Sequence, residues 1–397
     1  MNILHIVHDD KFIDGVINTL SGFNCCSKFI LLTKNLFVPK YIKQHDVVEQ
    51  VIIGSTKYGT YLQEKWADFI WIHFLDIDKA NFANAYSGGG KIIWGTWGAD
   101  YYDTLHKPVL MPITALAWMY AQVKAHGLLG GICDILSALE RVILYKVGKL
   151  DKLIPHPFLV FYRKVSYFTA VIPEEESLIR KLIGATPIYL KFHYCDVSQK
   201  TIDPQASVCK LYDSSNINVW VGNSAFYTNN SFDAFYRLSK MHNISKVVAP
   251  LSYGPANVVA QTNAFGKYCL KDKWIPLLKF MSFEDYSLQM SKCQVFVFGH
   301  IRQQAVGNID MALQMGGCLF MHRDNPVYSH FSSHGVKIYT LDRLSEMDAV
   351  MDEFANYREN NKKICRTFRS LDNMVQDIRE TMILLGSDSK CFTKVNS

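Results

Sequence analysis

Residues 293–326 read CQVFVFGHIRQQAVGNIDMALQMGGCLFMHRDNP and combine the signals of a strand, a loop, a helix and a second strand. The apolar runs QVFVFG (294–299) and GCLFMH (317–322) are short and rich in Val, Phe and Leu, which is typical of strands buried on both faces of a sheet. Between them, 304–315 has the spacing of an amphipathic helix. A helix between two buried strands indicates a βαβ unit in a parallel sheet.

The same alternation of apolar runs and helical patterns extends along the chain in both directions. In the first half the predicted strands are NILHIV (2–7), KFILLT (28–33), VVEQVII (47–53), DFIWIHF (68–74), KIIWGTW (91–97), FTAVI (168–172) and PIYLKF (187–192). In the second half they are INVWVG (217–222), KVVAPL (246–251), WIPLL (274–278), the two runs above and VKIYTL (336–341).

This order predicts an α/β protein of the GT-B type, in which two Rossmann-like domains with parallel sheets face a central cleft. We expect an N-terminal acceptor-binding domain over 1–196, a linker over 197–216, and a C-terminal nucleotide-sugar-binding domain over 217–397 with a polar helical tail. Periplasmic-binding and epimerase folds produce similar strings of elements.

Composition and charge narrow the class of protein. The 397 residues are 49% hydrophobic and 20% charged, with a net charge of +6, which is a globular composition that favours acidic small molecules or an anionic membrane surface over nucleic acid. The ten cysteines are scattered without a CxxC pair, so we expect a reduced, cytoplasmic protein. His5, His8, Asp9 and Asp10 interrupt the N-terminus where a signal peptide needs an apolar run.

The tract 105–165 is unusually apolar. PVLMPITALAWMYAQV (108–123) and HGLLGGICDILSAL (126–139) both fall short of the ~20 residues that cross a bilayer. Because many Lys and Arg accompany them, we expect a helical tract that lies on anionic lipid, and a buried helical pair is the alternative. The cations are Lys124, Arg141, Lys146, Lys149, Lys152, Arg163 and Lys164.

Ligands of parallel sheets bind at the carboxyl ends of strands, so the residues that follow the strands of the second half predict a donor site. The sequence has neither a GxGxxG nor a P-loop pattern there, and we expect Arg302 and the following helix start to hold a diphosphate. A surface ion pair of Arg302, an ordinary tight turn at Gly222 and core packing of Phe280 are the alternatives. The predicted donor-binding residues are Gly222, Asn223, Ser224, Tyr253, Phe280, Met281, Arg302, Gln303, Gln304, Gly307, Asn308 and Asn325.

In the first half, the segment WGTWGADYYD (94–103) follows a predicted strand and offers a carboxylate among aromatic rings. Burial beside such rings raises the pKa of a carboxyl group, which suits a general base that deprotonates an acceptor hydroxyl. Asp100 is the first candidate for this base, and His73 and Asp10 are further candidates. Alternatively, Asp100 caps the helix that starts near Tyr102. We expect neither a metal site nor a cofactor, because a helix dipole and an arginine suffice for the leaving diphosphate.

These segments resemble glycosyltransferase family 56, the bacterial transferases that move 4-acetamido-4,6-dideoxy-D-galactose from its dTDP carrier onto a lipid-linked disaccharide in enterobacterial common antigen assembly. The resemblance rests on WGTWGADYYD, VWVGNS, KVVAPLSYGPAN, FEDY and 293–326, and it is strongest over 217–341. It implies a GT-B fold, a dTDP-activated deoxyamino sugar donor and a polyprenyl-diphosphate-linked acceptor at the cytoplasmic face of the bacterial inner membrane. Two alternatives are a nucleotide-sugar 2-epimerase of the same fold and a non-catalytic GT-B-like module of a polysaccharide assembly complex.

Overall fold

The computed structural model describes residues 1–194, 216–368 and 370–386. The chain forms two compact units. The first comprises Met1–Lys107 with the described parts of Leu144–Thr201 and Ser370–Ser397, and the second comprises Pro108–Ile143 with the described part of Ile202–Arg369.

The first unit is built on a seven-stranded parallel sheet in the order β3-β2-β1-β4-β5-β6-β7. Its strands are β1 (Asn2–Val7), β2 (Cys26–Thr33), β3 (Val48–Ile52), β4 (Phe69–His73), β5 (Lys91–Gly95), β6 (Val165–Thr169) and β7 (Ile188–Leu190). Its helices are α1 (Phe12–Ser21), α2 (Thr56–Leu62), α3 (Ile77–Ala85), α4 (Ala99–Leu105), α6 (His156–Lys164), α7 (Glu176–Ile183) and the last helix, α15 (Leu371–Leu384).

The second unit has a six-stranded parallel sheet in the order β10-β9-β8-β11-β12-β13. Its strands are β8 (Ile217–Val221), β9 (Ile244–Pro250), β10 (Trp274–Leu277), β11 (Val295–Phe298), β12 (Cys318–Met321) and β13 (Tyr339–Thr340). Its helices are α8 (Ser231–Leu238), α9 (Ala256–Leu270), α10 (Phe283–Ser291), α11 (Val306–Gln314), α12 (Pro326–Ser333), α13 (Met347–Phe354) and α14 (Arg358–Phe368), preceded by most of α5 (Pro112–Lys146).

The central strands are buried along their whole length, as continuous apolar runs require when helices cover both faces of a sheet. The residues of β4, β11 and β12 are all shielded from solvent, and each unit has its own apolar core. The predicted α/β fold class with parallel Rossmann-like sheets is therefore confirmed.

Two predicted strands differ from the observed ones for a local reason. The run VKIYTL forms a strand only at Tyr339–Thr340, because the backbone of Lys337 instead bonds to the side chain of Asn361, donating at 2.8 Å and accepting at 2.9 Å. The run FTAVI is shifted, since α6 leads directly into β6 at Val165 and the strand ends at Thr169.

Two segments pack with a different unit from the one predicted from chain order. Pro108–Ile143 belongs to the second unit, where buried Asp233 accepts bonds from the backbone N–H of Ile113 (3.1 Å) and Thr114 (2.8 Å), and thereby caps α5. The C-terminal helix α15 belongs to the first unit, because Ile378 and Met382 enter its core. The predicted linker 197–216 lies outside the described residues except for its last position.

Helix α5 contains a break at Gly127, whose φ of 72° and ψ of 174° are not helical. The segments on either side pack closely, since a Cβ on Gly131 would lie 2.5 Å from the Cα of Val123. Across the described residues, none of the helices combines the length and the apolar character that a bilayer crossing demands.

Candidate functional site

The donor residues predicted in the second unit gather at one edge of its sheet. Strand β8 lies between β9 and β11, so the loops after β8 and β11 leave the sheet where its strand order reverses. Such a switch point, at the carboxyl ends of parallel strands, is the usual ligand site of open α/β sheets. Gly222 and Asn223 follow β8, and the segment from Gly299 to Gln304 follows β11.

The loop after β8 is held by a buried amide. Gly222 has a φ of 67°, and a Cβ there would lie 2.6 Å from Oδ1 of Asn229, so the turn requires glycine. The backbone N–H of Asn223 donates to Oδ1 of Asn229 at 2.9 Å, and Nδ2 of Asn229 donates to Oγ of Ser224 at 3.0 Å. The chain therefore makes a tight turn at Gly222, which was the alternative to a binding role, and its polar side chains lie at the sheet edge.

The loop after β11 is bonded to the loop after β8. Nε2 of His300 lies 2.9 Å from Oδ1 of Asn229, and Nε2 of Gln304 donates to Oδ1 of Asn223 at 3.1 Å. Oε1 of Gln304 in turn accepts from the hydroxyl of Thr228 at 2.8 Å. The structure thus brings together Asn223, Ser224 and Gln304, which the sequence had placed at one site.

The start of helix α11 has features of an anion site. Ala305, its N-cap residue, has a φ of 61°, an unusual conformation for a residue other than glycine, and its side chain caps none of the first N–H groups. Arg302 is half-buried, and no ion pair between described residues includes it, which argues against the surface ion pair. Uncapped N–H groups that follow an arginine closely along the chain suit a diphosphate.

Several aromatic side chains follow β9 and β10 at the same edge. Phe280 is 87% exposed, so it does not pack in the core, and Met281 beside it is half-buried. The ring of Tyr253 is exposed and lies 5.6 Å from that of Phe226. Ser282 caps α10 by accepting from the N–H of Asp285 at 3.1 Å, as predicted for an ordinary cap. Phe280 and Tyr253 remain candidates for stacking on a base.

The remaining donor candidates differ in exposure. Gly307 is exposed and has open space where a Cβ would stand, so nothing in its surroundings requires glycine. Nδ2 of Asn308 donates to the hydroxyl of Tyr286. Asn325 is fully buried and caps α12 through Oδ1, which accepts from the N–H of Val327 at 2.9 Å, while its Nδ2 has no partner among the described atoms. Gln303 is also buried, with an unpartnered Oε1.

In the first unit, Asp100 is 6% exposed and tightly held. Its Oδ2 accepts from the N–H of Leu75 at 3.2 Å and from Nε1 of Trp94 at 3.1 Å, and its Oδ1 accepts from the N–H of Trp97 at 3.1 Å. Burial raises the pKa of this carboxyl to about 6, against the lowering effect of these donors. Asp100 lies inside α4, whose N-cap is Gly98, so it is not the cap of that helix.

His73 belongs to a buried chain of hydrogen bonds. Its Nε2 lies 2.9 Å from Nδ1 of His5, its Nδ1 lies 3.0 Å from the hydroxyl of Tyr194, and Nε2 of His5 lies 3.3 Å from Oγ of Ser27. Burial, followed by the neighbouring His5 and Lys79, lowers the pKa of His73 far below its usual range. His73 is therefore a neutral core residue with both ring nitrogens engaged, which is the ordinary role of a histidine after a strand.

Asp10 and His8 follow β1, next to β4 at the switch point of the first sheet. Asp10 is half-buried, accepts from the N–H of Phe12 at 3.0 Å, and has its pKa raised by burial. The His8 ring lies 4.9 Å from that of Phe74 and 4.8 Å from that of Trp97, and its Nδ1 has no partner among the described atoms. His8 was not among the predicted site residues, and its position directly after an apolar strand was the signal for it.

No group of three or more His, Cys, Asp or Glu side chains is placed to hold a metal ion in the part of the chain that the structure describes.

Comparison with known proteins supports the family resemblance and the fold. The family described as 4-alpha-L-fucosyltransferase, glycosyl transferase group 56, matches residues 198–368, which confirms the resemblance found in the sequence and includes the loops after β8 and β11. A crystal structure of HepE from Anabaena in complex with UDP and glucose is similar, with a TM-score of 0.61 at 12% identity over 97% of this chain and 100% of that one.

Two further structures show the same fold. Sucrose-phosphate synthase from Thermosynechococcus elongatus gives a TM-score of 0.65 at 8% identity over 97% of this chain and 99% of its own. A structure from E. coli, described as trehalose-6-phosphate bound with UDP-2-fluoro glucose, gives a TM-score of 0.56 at 9% identity over 98% of this chain and 100% of its own. These likenesses confirm the GT-B fold. The match to a glycosyltransferase family over residues 198–368 indicates that the chain is a glycosyltransferase.

Proposed function

We propose that this glycosyltransferase moves a deoxyamino sugar, similar to 4-acetamido-4,6-dideoxygalactose, from a dTDP donor to a polyprenyl-diphosphate-linked saccharide in bacterial surface polysaccharide synthesis. One observation carries the proposal. The loops at the switch point of the second unit combine the uncapped start of α11 with an arginine outside the ion pairs of the described residues, within the segment that the family matches. This is an arrangement for holding a leaving diphosphate.

Two observations support the proposed class of donor. HepE is similar in fold and has been solved with UDP and with UDP-glucose, so a nucleotide sugar is the donor class we propose here. The exposed rings of Phe280 and Tyr253 follow strands of the same sheet edge and offer flat apolar surface to a pyrimidine base. The choice of dTDP over UDP rests on the resemblance to family 56.

A transfer that inverts the anomeric carbon needs one base and one anion site. The base takes the proton of an acceptor hydroxyl, the hydroxyl oxygen forms the new bond to the anomeric carbon, and the bond from that carbon to the diphosphate oxygen breaks. Asp100 is the proposed base, since its pKa of about 6 suits proton uptake near neutral pH. Arg302 and the start of α11 stabilise the charge of the departing diphosphate without a metal ion.

The proposed acceptor is lipid-linked, and helix α5 is the part of the chain that we assign to the membrane surface. Its second segment exposes a row of apolar side chains at helical spacing, of which Leu129 is 80% exposed. Lys124 and Arg141 on the same helix are exposed and would add roughly 1 kcal/mol each on anionic lipid. The row consists of Leu128, Leu129, Ile132, Leu136, Leu139 and Ile143. We therefore propose a peripheral protein of the cytoplasmic face of the inner membrane.

A transfer assay tests the enzymatic part. Purified protein is incubated with dTDP-4-acetamido-4,6-dideoxygalactose and a polyprenyl-diphosphate disaccharide, and the extended lipid-linked saccharide is measured by mass spectrometry. We expect a product one deoxyamino sugar larger. Folded protein that neither transfers nor hydrolyses any dTDP-sugar or UDP-sugar would refute the proposal.

Vesicle flotation tests the membrane part. The protein should float with vesicles of phosphatidylethanolamine and phosphatidylglycerol, and Leu129→Glu combined with Leu136→Glu should weaken binding at least about 10-fold, because two buried leucines contribute several kcal/mol. Tyr268→Glu is the matched control, since Tyr268 is also 80% exposed but lies on α9. Equal flotation of all three proteins would show that α5 does not bind lipid.

A further inference from the structure

Three polar side-chain atoms without a partner lie on one short loop of the second unit. Nδ1 of His300, Nε of Arg302 and Oε1 of Gln303 are shielded from solvent and bond to none of the described atoms. His300 is fully buried and Gln303 is 7% exposed. A buried polar group without a partner destabilises a fold substantially, so three of them between β11 and α11 indicate that their partners belong to a bound ligand.

The hydrogen-bond network fixes which group His300 offers to that ligand. The backbone N–H of Asn223 donates to Oδ1 of Asn229, so that atom is an oxygen and the orientation of the amide is settled. Nε2 of His300 lies 2.9 Å from the same oxygen and must therefore carry the proton. In a neutral imidazole the other nitrogen, Nδ1, then holds a bare lone pair and can only accept a hydrogen bond.

The surroundings keep His300 neutral. Its burial, followed by the charge of Arg302, lowers its pKa to about 3, so it carries no proton on Nδ1 at neutral pH. A diphosphate at this pH offers oxygens with lone pairs and no proton to donate, so it would be repelled by Nδ1. The partner that fits a neutral His300 is a hydroxyl or an amide N–H close to the diphosphate that we assign to Arg302 and α11.

We infer that His300 accepts, through Nδ1, a hydrogen bond from a hydroxyl or amide N–H of the transferred sugar, and that Asn229 is the positioning residue that fixes its tautomer. The inference rests on the proposed function, because it requires a nucleotide sugar at this switch point. The transferred sugar is the part of the donor that adjoins the diphosphate and carries such groups.

Two substitutions separate the two ring nitrogens of His300. His300→Gln places an amide N–H near the position of Nε2, which keeps the bond to Asn229 but leaves no acceptor at Nδ1. His300→Asn places a carbonyl oxygen near the position of Nδ1 and loses the bond to Asn229. Dissociation constants for dTDP and for dTDP-4-acetamido-4,6-dideoxygalactose are measured by calorimetry, and thermal unfolding verifies that each variant is folded.

The ratio of the dissociation constant for the dTDP-sugar to that for dTDP tests the inference. We expect His300→Gln to bind dTDP like the wild type but the dTDP-sugar about 3- to 10-fold more weakly, as for the loss of one hydrogen bond, and His300→Asn to retain most of the preference for the sugar. An unchanged ratio in His300→Gln, or an equal loss for both ligands, would overturn the inference while dTDP binding by the wild type still supports the proposed function. If the wild type binds neither ligand, the proposed function itself is wrong.

Discussion

Replacement of Asp100 by asparagine separates a catalytic role of this carboxyl from its role in holding the loops. The carboxyl ties the N–H of Leu75 after β4 and the N–H of Trp97 after β5 to α4, so its removal threatens the fold as well as the reaction. Asparagine has nearly the same shape and retains one acceptor oxygen, which is able to serve Leu75 and Trp94. The amide cannot take the proton of an acceptor hydroxyl.

The pKa of Asp100 sets the expected effect on stability. Burial raises it to about 6 from 3.8, which means that the folded protein holds this proton more tightly than the unfolded chain does. The stabilisation that comes from this tighter proton binding is therefore fully present below about pH 3.8. It is lost as the pH rises through 6, which lowers the free energy of unfolding by roughly 3 kcal/mol. Asparagine is always neutral. Between pH 4 and 7, the free energy of unfolding of the wild type should therefore fall by roughly 2–3 kcal/mol relative to that of Asp100→Asn.

Urea unfolding at pH 4, 5, 6 and 7 gives this difference, and the transfer assay at pH 7 gives the rate. If Asp100 is the base, Asp100→Asn should lower the rate on the order of 100-fold or more while the protein stays folded. Wild-type activity should also fall as the pH drops below about 6, where the carboxyl becomes protonated. A rate that falls only in proportion to the unfolded fraction would refute the catalytic role and leave Asp100 as an anchor of the two loops.

Three further changes test the donor site and helix α5. Arg302→Gln should weaken dTDP binding about 10- to 100-fold in a titration, because a charged hydrogen bond to the diphosphate is lost, and Arg366→Gln on the exposed face of α14 should not. Ala305→Gly should raise the free energy of unfolding in urea by about 1 kcal/mol, since glycine adopts the observed φ of 61° without strain, and an unchanged or lower value would contradict this. Gly131→Ala should expose α5 to proteolysis, because its Cβ would lie 2.5 Å from backbone, whereas Gly59→Ala has open space and should digest like the wild type.

The fold was predictable because parallel strands buried on both faces form continuous apolar runs in the sequence. NILHIV and β1 have the same bounds, 2–7, and the loops after β8 and β11 were expected at the sheet edge where they lie. The membership of α5 was not predictable from its apolar pattern, since such a helix packs equally well on either domain. Asp233 and Asn230 decide it, and both are more than a hundred residues away in sequence from the backbone N–H groups that they accept from.

The sequence suggests a candidate site only where a residue type alone indicates the chemistry. Arginine after a strand and before a helix suffices to suggest a diphosphate, and the structure adds the uncapped helix start. The tautomer of His300 depends on Asn229, and the burial of His73 depends on His5 and Tyr194 from distant strands and loops. A sequence pattern carries no information about which side chains will meet in this way.

The surroundings of the acids at the strand ends of the first unit lower the pKa of one carboxyl and raise the pKa of two others. Burial alone would raise the pKa of Asp9, but the backbone N–H groups of Ile42, Lys40 and Tyr41 bond to it and lower it, so it stays ionised and serves to hold that loop. Asp10 accepts one backbone N–H and Asp100 is deeply buried, and the pKa of each is raised. Since a base near neutral pH needs a raised pKa, Asp100 and Asp10 are the two carboxyls that we compare as candidates. The half-buried side chain of Asp10 makes its asparagine variant the natural comparison for Asp100→Asn in the same transfer assay.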